Sequence, residues 1–492
     1  MSTTASNDGA LETHGESHGL ETRGIDPVPH SERTARTREL LPTWVAANIS
    51  VLLLTMGAGL AVSYGLNFWQ ALVVGVVAPV VSYGLVGLMG IAGKRGGAPG
   101  MALSRAVFGQ RGNLLPGALI WIARWGWETI NAVTGAYALL TVLNILFGIR
   151  SNTFLIIVTL LLFVVTTFAI SALGINAVRR CNRWASYLFA GFSVLVLGHL
   201  VVDTDWGKVF GQAAGPTPLM ITGVGVIAAG GISWAPSSPD FTRYLPRTAS
   251  SVAIVRNTVG GAGAGVVVLP MVLMGAVMAV STPDLASAAD PVSFLGEILP
   301  LWIAVPYLLI ALVGMLLINA MSMYSAGFTA QTLGFRVPRH WAVSVNAAIS
   351  LVFGGVLMLV ATSFMGSFIA FLSLLAVAFS AWVGVFGADM LRRREYDAEA
   401  LLDTTRTSAY WYRGGFSPAA VAAWAVGLGT GLLFTTSDWF TGPLASGNPV
   451  GEYGLGWVAT VVVSFLLYAA LPKPALPRTP APATEEPAPL AV

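Results

Sequence analysis

One stretch of this 492-residue chain has residues spaced for chemistry inside an apolar environment: Trp121-Ile-Ala-Arg124-Trp-Gly-Trp127-Glu128-Thr-Ile-Asn131. Arg124, Trp127, Glu128 and Asn131 stand at i, i+3, i+4 and i+7, so a helix puts them on one face. A lipid-facing helix cannot carry that face, because each charge held in the bilayer costs at least a few kcal/mol. It must look into a protein interior. Trp127 offers a flat π surface, and Asn131, one turn on, offers a donor and an acceptor. Together they suit a planar ligand with mixed hydrogen-bonding edges. Arg124 and Glu128 are spaced for an i,i+4 ion pair. They read either as a neutralising structural pair or as a pair whose carboxyl takes up and releases a proton.

The elements that must position these residues are membrane helices. The chain is 55% hydrophobic and 10% charged, against about 25% charged in soluble domains. Its apolar residues fall into blocks of the roughly 20 residues that cross a bilayer as helix. Twelve spans are expected, at 43–64, 69–91, 115–148, 153–176, 184–203, 219–238, 252–281, 298–321, 341–361, 366–390, 416–436 and 453–471. The third and seventh are long enough to tilt. Residues 1–42 and 472–492 read as disordered tails, the second rich in proline and alanine. A single cysteine, Cys181, excludes an intrachain disulfide.

Charge placement orients the chain. With the N-terminus inside, 23 of the 26 Lys and Arg residues fall in inner segments, only Arg150 and Lys208 fall outside, and Arg124 lies within a span. Such a bias predicts an inner-membrane protein with both termini cytoplasmic and an even number of spans.

Two spans look interrupted. Span 1 carries Thr55-Met-Gly57-Ala-Gly59, and span 6 carries Gly230-Gly231-Ile-Ser-Trp234-Ala-Pro236-Ser-Ser-Pro239. Glycine loosens a helix and proline removes a donor. Unwound backbone at membrane depth survives only where it lines a cavity. Breaks in the first and sixth spans correspond if spans 1–5 (43–203) and 6–10 (204–390) are repeats. Five is odd, so the second repeat would be inverted, with spans 11 and 12 (391–471) outside it. Paired interruptions of this kind point to a transporter binding site, and Gly57 and Gly231 are its candidate backbone contacts. Glycine used only for close packing is the competing reading.

Several classes are excluded or disfavoured. No Walker-type loop supports a nucleotide-driven pump. No paired histidines or Ser/His set supports a membrane enzyme, and no charged or carbonyl ring motif supports a channel. Neither a cofactor nor a resident metal is expected, and nucleic acid is not an expected partner. The partners are a small planar solute and the lipid bilayer. The sequence sets no oligomeric state.

Five short segments carry a family resemblance. They are Leu103-Ser-Arg105-Ala-Val-Phe-Gly109, Gly126-Trp127 with Asn131, Trp234 with Asp240-Phe-Thr-Arg243-Tyr-Leu-Pro246, Asn319 with Tyr324-Ser325-Ala-Gly327, and Ala388-Asp389 with Arg392-Arg393-Arg394. In this order the chain resembles the nucleobase:cation symporter-1 family, and within it the purine–cytosine permeases. The resemblance implies an all-α LeuT-like fold of two inverted five-helix repeats plus two peripheral helices. It implies a heterocycle stacked between Trp127 and Trp234, with Asn131 reading its edge and Asn319 and Ser322 supplying span 8 contacts. Ser322 stands where purine–cytosine permeases usually have asparagine. In sodium-coupled relatives a cation sits between span 1 carbonyls and span 8 hydroxyls. The matching positions here are Leu317 and Ile318, which favours a proton, with Glu128 and Arg124 as the coupling candidates. Related cargoes are allantoin, a hydantoin, thiamine or pyridoxine. An amino-acid transporter of the same fold is the more distant alternative.

Overall fold

The computed structural model describes residues 23–472 except 264–265, 287, 289, 336–338 and 361–363. The outer parts of both expected tails, 1–22 and 473–492, lie outside the described residues.

The helices are α1 (Leu40–Ala46), α2 (Val51–Val62), α3 (Phe68–Gly96), α4 (Gly100–Phe108), α5 (Leu114–Phe147), α6 (Thr153–Ala172) and α7 (Ile175–Asp203). They continue with α8 (Trp206–Phe210), α9 (Thr217–Ile232), α10 (Ser238–Thr242), α11 (Ser251–Ala262), α12 (Val268–Ser281), α13 (Pro291–Ile298) and α14 (Leu301–Thr332). The last are α15 (Arg339–Leu359), α16 (Phe364–Arg392), α17 (Ala398–Leu402), α18 (Pro418–Leu433), α19 (Pro449–Glu452) and α20 (Gly456–Ala470). Among the described residues, 8 helices are long and apolar enough to cross a membrane, and a pair bent by 68°, Thr37–Ala46 with Val51–Val62, makes a ninth. The shorter apolar helices α12, α18 and α20 lie in the seventh, eleventh and twelfth expected spans. Large apolar side chains such as Val80, Phe154, Leu161, Val194 and Val352 face outward, as a lipid-facing surface requires. This is a multi-pass membrane protein built mainly of α-helices.

Packing divides the helices into two groups. Spans 1, 2, 6 and 7 pack together through contacts of α2 with α12, α1 with α11, and α3 with α9, α10, α11 and α12. Spans 3, 4, 8 and 9 pack together through α5 with α14 and α15, and α6 with α14 and α15. α16 packs on α18 and α20 at the edge.

Three expectations need correction. Span 1 breaks at Ala47–Ser50 rather than at Thr55–Gly59, which is continuous helix in α2. Gly57 serves packing: a Cβ on it would run into the Val272 carbonyl oxygen, and one on Gly275 of α12 would run into the Leu54 carbonyl oxygen. Small residues let α2 and α12 approach backbone to backbone. Gly57 is therefore a packing residue and not a cavity contact. Span 7 is two helices, α11 and α12, rather than one long tilted helix. Gly260, Gly261 and Gly263 fall at the end of α11, where glycine loosens the helix.

The third correction concerns the N-terminal tail. Residues 23–39 are folded, with 3-10 turns at His30–Glu32 and Thr37–Glu39. Arg33 is 7% exposed. Its guanidinium donates to the carbonyls of Val28 at 2.8 Å and Lys94 at 3.2 Å, so it satisfies backbone oxygens left open at the end of α3. The Val28 amide donates to the Gly97 carbonyl at 2.8 Å. This segment lies across the side of the membrane where α3 ends and α5 begins, called the N-terminal side below.

Candidate functional site

The two helix interruptions build the site. Ser50 N-caps α2, its Oγ accepting the Leu52 amide at 3.2 Å. That cap terminates the unwound Ala47–Ser50 segment. In span 6, α9 ends at Ile232, and a 3-10 turn at Ala235–Ser237 precedes α10. Pro236 and Pro239 cannot donate to the preceding turn. A cavity opens between these breaks. It is lined by Asn48 and Ser50 from the first break, Gly230, Gly231, Ser233 and Trp234 at the second, Ser82 and Tyr83 of α3, Arg124, Trp127 and Asn131 of α5, Ile318 and Ser322 of α14, and Phe368 and Leu372 of α16. It thus sits between the two packed groups.

Of the residues expected from sequence, the structure brings Trp127, Asn131, Trp234, Ser322, Gly231 and Arg124 to this cavity. Trp127 meets Phe368 and Phe371 edge-on, at centroid distances of 6.0 and 5.9 Å. Asn131 is 2% exposed, lines the cavity, and its amide makes no hydrogen bond among the described residues, leaving it open to a ligand. Gly231 is required by close packing, since a Cβ would meet Ser82 Oγ at 2.3 Å.

Glu128, Asn319 and Gly57 do not line the cavity. Asn319 is fully buried, and neither of its amide atoms has a hydrogen-bond partner among the described residues. Glu128 is fully buried behind Ser322. Its Oε1 accepts from Ser322 Oγ at 3.1 Å and from Asn346 Nδ2 at 3.3 Å, while its Oε2 has no partner among the described residues.

The expected Arg124–Glu128 ion pair does not form. Arg124 turns to span 6 instead, donating from Nη2 to the Ser233 carbonyl at 2.7 Å and to Ser237 Oγ at 2.5 Å. Its Cζ stands 4.9 Å from the Trp234 ring centroid. The carbonyls exposed by the span 6 break outcompete an acid one turn away, because they are fixed acceptors lying across the helix interface.

Several lining residues were not singled out in the sequence. Asn48 accepts from the Tyr83 hydroxyl at 2.7 Å and donates to the Trp44 carbonyl at 2.8 Å. The readable signal was Asn48-Ile49-Ser50 itself, two cap-forming residues inside an apolar run. Asn346 on α15 had no comparable signal, since it lies more than two hundred residues from Glu128 in sequence.

The family described as "Permease for cytosine/purines, uracil, thiamine, allantoin" matches residues 27–456. The chain belongs to that family. This permease is 26% identical over 477 residues to YxlA of Bacillus subtilis (strain 168), provisionally named a purine-cytosine permease, covering 93% of this chain and 97% of that one. It is 24% identical over 431 residues to a hydantoin permease of Microbacterium maritypicum, covering 85% and 86%. Its fold matches the nucleobase-cation-symport-1 family transporter Mhp1, solved in a closed conformation with bromovinylhydantoin bound. The TM-score is 0.70 at 22% identity, over 92% of this chain and 94% of that one. The fold is therefore that of Mhp1, and the permease is a membrane transporter of the cytosine/purine, uracil, thiamine and allantoin permease family, and not an enzyme.

Proposed function

We propose that the permease imports a purine, cytosine or closely related planar heterocycle across the cell membrane, coupled to protons, by alternating access. The observation that carries the substrate class is the cavity wall in which Trp127, Trp234 and the unengaged amide of Asn131 converge. Base–aromatic stacking contributes roughly 1–3 kcal/mol, and the amide reads an edge of the ring. Ser322 supplies a second polar contact from α14. Allantoin or a hydantoin fits the same chemistry, and the family and relatives carry such names.

Two features support proton over sodium coupling. The α14 residues beside the span 1 break are Met315, whose sulfur is 3.9 Å from Ser50 Oγ, and Ile318. Neither they nor Leu317 provide the oxygen ligands a hard cation needs. Glu128 is a buried carboxyl without a cation at ion-pair distance, hydrogen-bonded to the cavity residue Ser322. Such a group can carry a proton through a dry interior as the neutral acid. Spans 1, 2, 6 and 7 then rock against spans 3, 4, 8 and 9 around the cavity. The arginine bias supports a cytoplasmic N-terminal side.

Uptake of labelled cytosine and hypoxanthine into proteoliposomes tests the reading. An inward proton gradient in sodium-free buffer is expected to drive accumulation, and Glu128→Gln is expected to abolish the gradient's effect. Strict sodium dependence without response to the proton gradient would overturn it.

A further inference from the structure

Two buried carboxyls meet α14 on successive turns. Glu128 accepts from Ser322, and Asp240 of α10 accepts from Ser325. Asp240 is 2% exposed, and its other oxygen accepts the Gly100 amide at 2.8 Å. Ser322 and Ser325 are three residues apart, so they share one face of α14.

A continuous hydrogen-bonded chain leads from the cavity to Asp240. Arg124, which lines the cavity, donates to Ser237 Oγ at 2.5 Å. The Ser237 and Ser325 hydroxyls are 2.6 Å apart, and Ser325 meets Asp240. The chain joins α5 and α14 of one packed group to the 3-10 turn and α10 of the other. Ser325 Oγ is placed to donate to either Ser237 Oγ or Asp240, and its single hydrogen goes to the carboxylate while Asp240 is ionised. The links at the two ends, Arg124 to Ser237 and Ser325 to Asp240, are then charge-assisted. One proton added from water to Asp240 Oδ2 reverses the last links. The acid then donates to Ser325 and Ser325 to Ser237, whose two lone pairs accept from Ser325 and Arg124 while its own O–H, still bonded, turns away from Ser325. The charge-assisted bond between α10 and α14 becomes a neutral one, which is roughly half as strong.

We propose that Asp240 is a second proton-binding residue of the transport cycle, one that latches α10 to α14 while ionised and releases them when it takes a proton. This rests on the proton-coupled reading above and assigns Asp240 the opening of the N-terminal side. On opening, the proton leaves the carboxyl for water on that side, and the carboxylate remakes the latch. Every element around Asp240 fits the assignment. Arg124 faces it from α5, the Gly100 amide from α4 and Ser325 from α14. Arg243, at the end of its own helix, also acts on it and donates to the Gly24 carbonyl at 2.9 Å. Lys94 of α3 is turned away to the Ala249 carbonyl.

The test is a distance measurement on the full chain. Nitroxides are placed at Thr248, after α10, and Leu114, at the start of α5, both exposed, in a Cys181→Ser background in lipid nanodiscs. Electron–electron double resonance is recorded as the pH falls from about 8 to about 5. The longer distance should gain population in acid. Asp240→Asn should show the acid distribution at every pH, Asp240→Glu should restore the response, and Glu128→Gln should keep it. Ser325→Ala removes the link without touching the carboxyl and should favour the long distance at neutral pH. A wild-type pH response in both Asp240→Asn and Ser325→Ala, or no response in the parent, overturns the latch. Failure of proton-driven uptake with an Asp240-dependent distance response intact would instead overturn the coupling reading alone.

Discussion

Ser322 Oγ donates to Glu128 Oε1 at 3.1 Å, and the second carboxyl oxygen of Glu128 has no partner among the described residues. Ser322 therefore supports a buried acid as well as lining the cavity. Ser322→Ala removes one of the two donors to that acid, a loss on the order of 1–3 kcal/mol. The ligand-free variant should unfold at a lower temperature than the parent in a detergent melting assay. An unchanged melting temperature would mean that Ser322 serves the ligand only.

Asn131 differs in kind, because its amide lines the cavity and makes no hydrogen bond among the described residues. Asn131→Ala should leave ligand-free stability within about 0.5 kcal/mol of the parent. Ligand affinity should fall by about tenfold or more, since one bonded edge of the heterocycle loses its partner at about 1–3 kcal/mol. Competition binding across several heterocycles measures this, and an unchanged rank order and affinity would remove Asn131 from the site.

Gly57 and Gly59 make an internal control for the packing of α2 on α12. A Cβ at Gly57 would enter the Val272 backbone, whereas one at Gly59 would meet nothing within 4 Å. Gly57→Ala should cost about 1–3 kcal/mol of stability through overpacking, and Gly59→Ala should be neutral or slightly stabilising. Yields of monodisperse protein and melting temperatures compare the two. Equal effects would contradict the packing role.

The spans and the Trp127–Asn131 face were legible because long apolar blocks and helical spacing are local properties. The span 6 interruption was legible for the same reason, since proline and glycine act where they stand. The span 1 break was misread because glycine in a membrane helix serves flexibility and close packing alike. The N-cap at Ser50, a stronger terminator than Gly57, marked the true position. The folding of residues 23–39 was hidden because their polar composition matches a disordered tail. What orders them is non-local: Arg33 closing the open carbonyls of α3. The partners of Arg124 and Glu128 lie on spans 6, 8 and 9, so i,i+4 spacing alone chose the wrong pairing.

Trp127 offers the most direct test of the central claim, that a planar heterocycle stacks in the cavity between the two helix breaks. Purified parent and Trp127→Ala protein would be titrated with cytosine, hypoxanthine, uracil, allantoin, a benzylhydantoin and thiamine, with ligand-induced thermal stabilisation as the readout. At least one compound should stabilise the parent, and its affinity should fall by about tenfold or more in Trp127→Ala, matching the loss of roughly 1–3 kcal/mol of stacking. Binding of equal strength to the parent and to folded Trp127→Ala protein, or no binding by any of these compounds, would contradict the account.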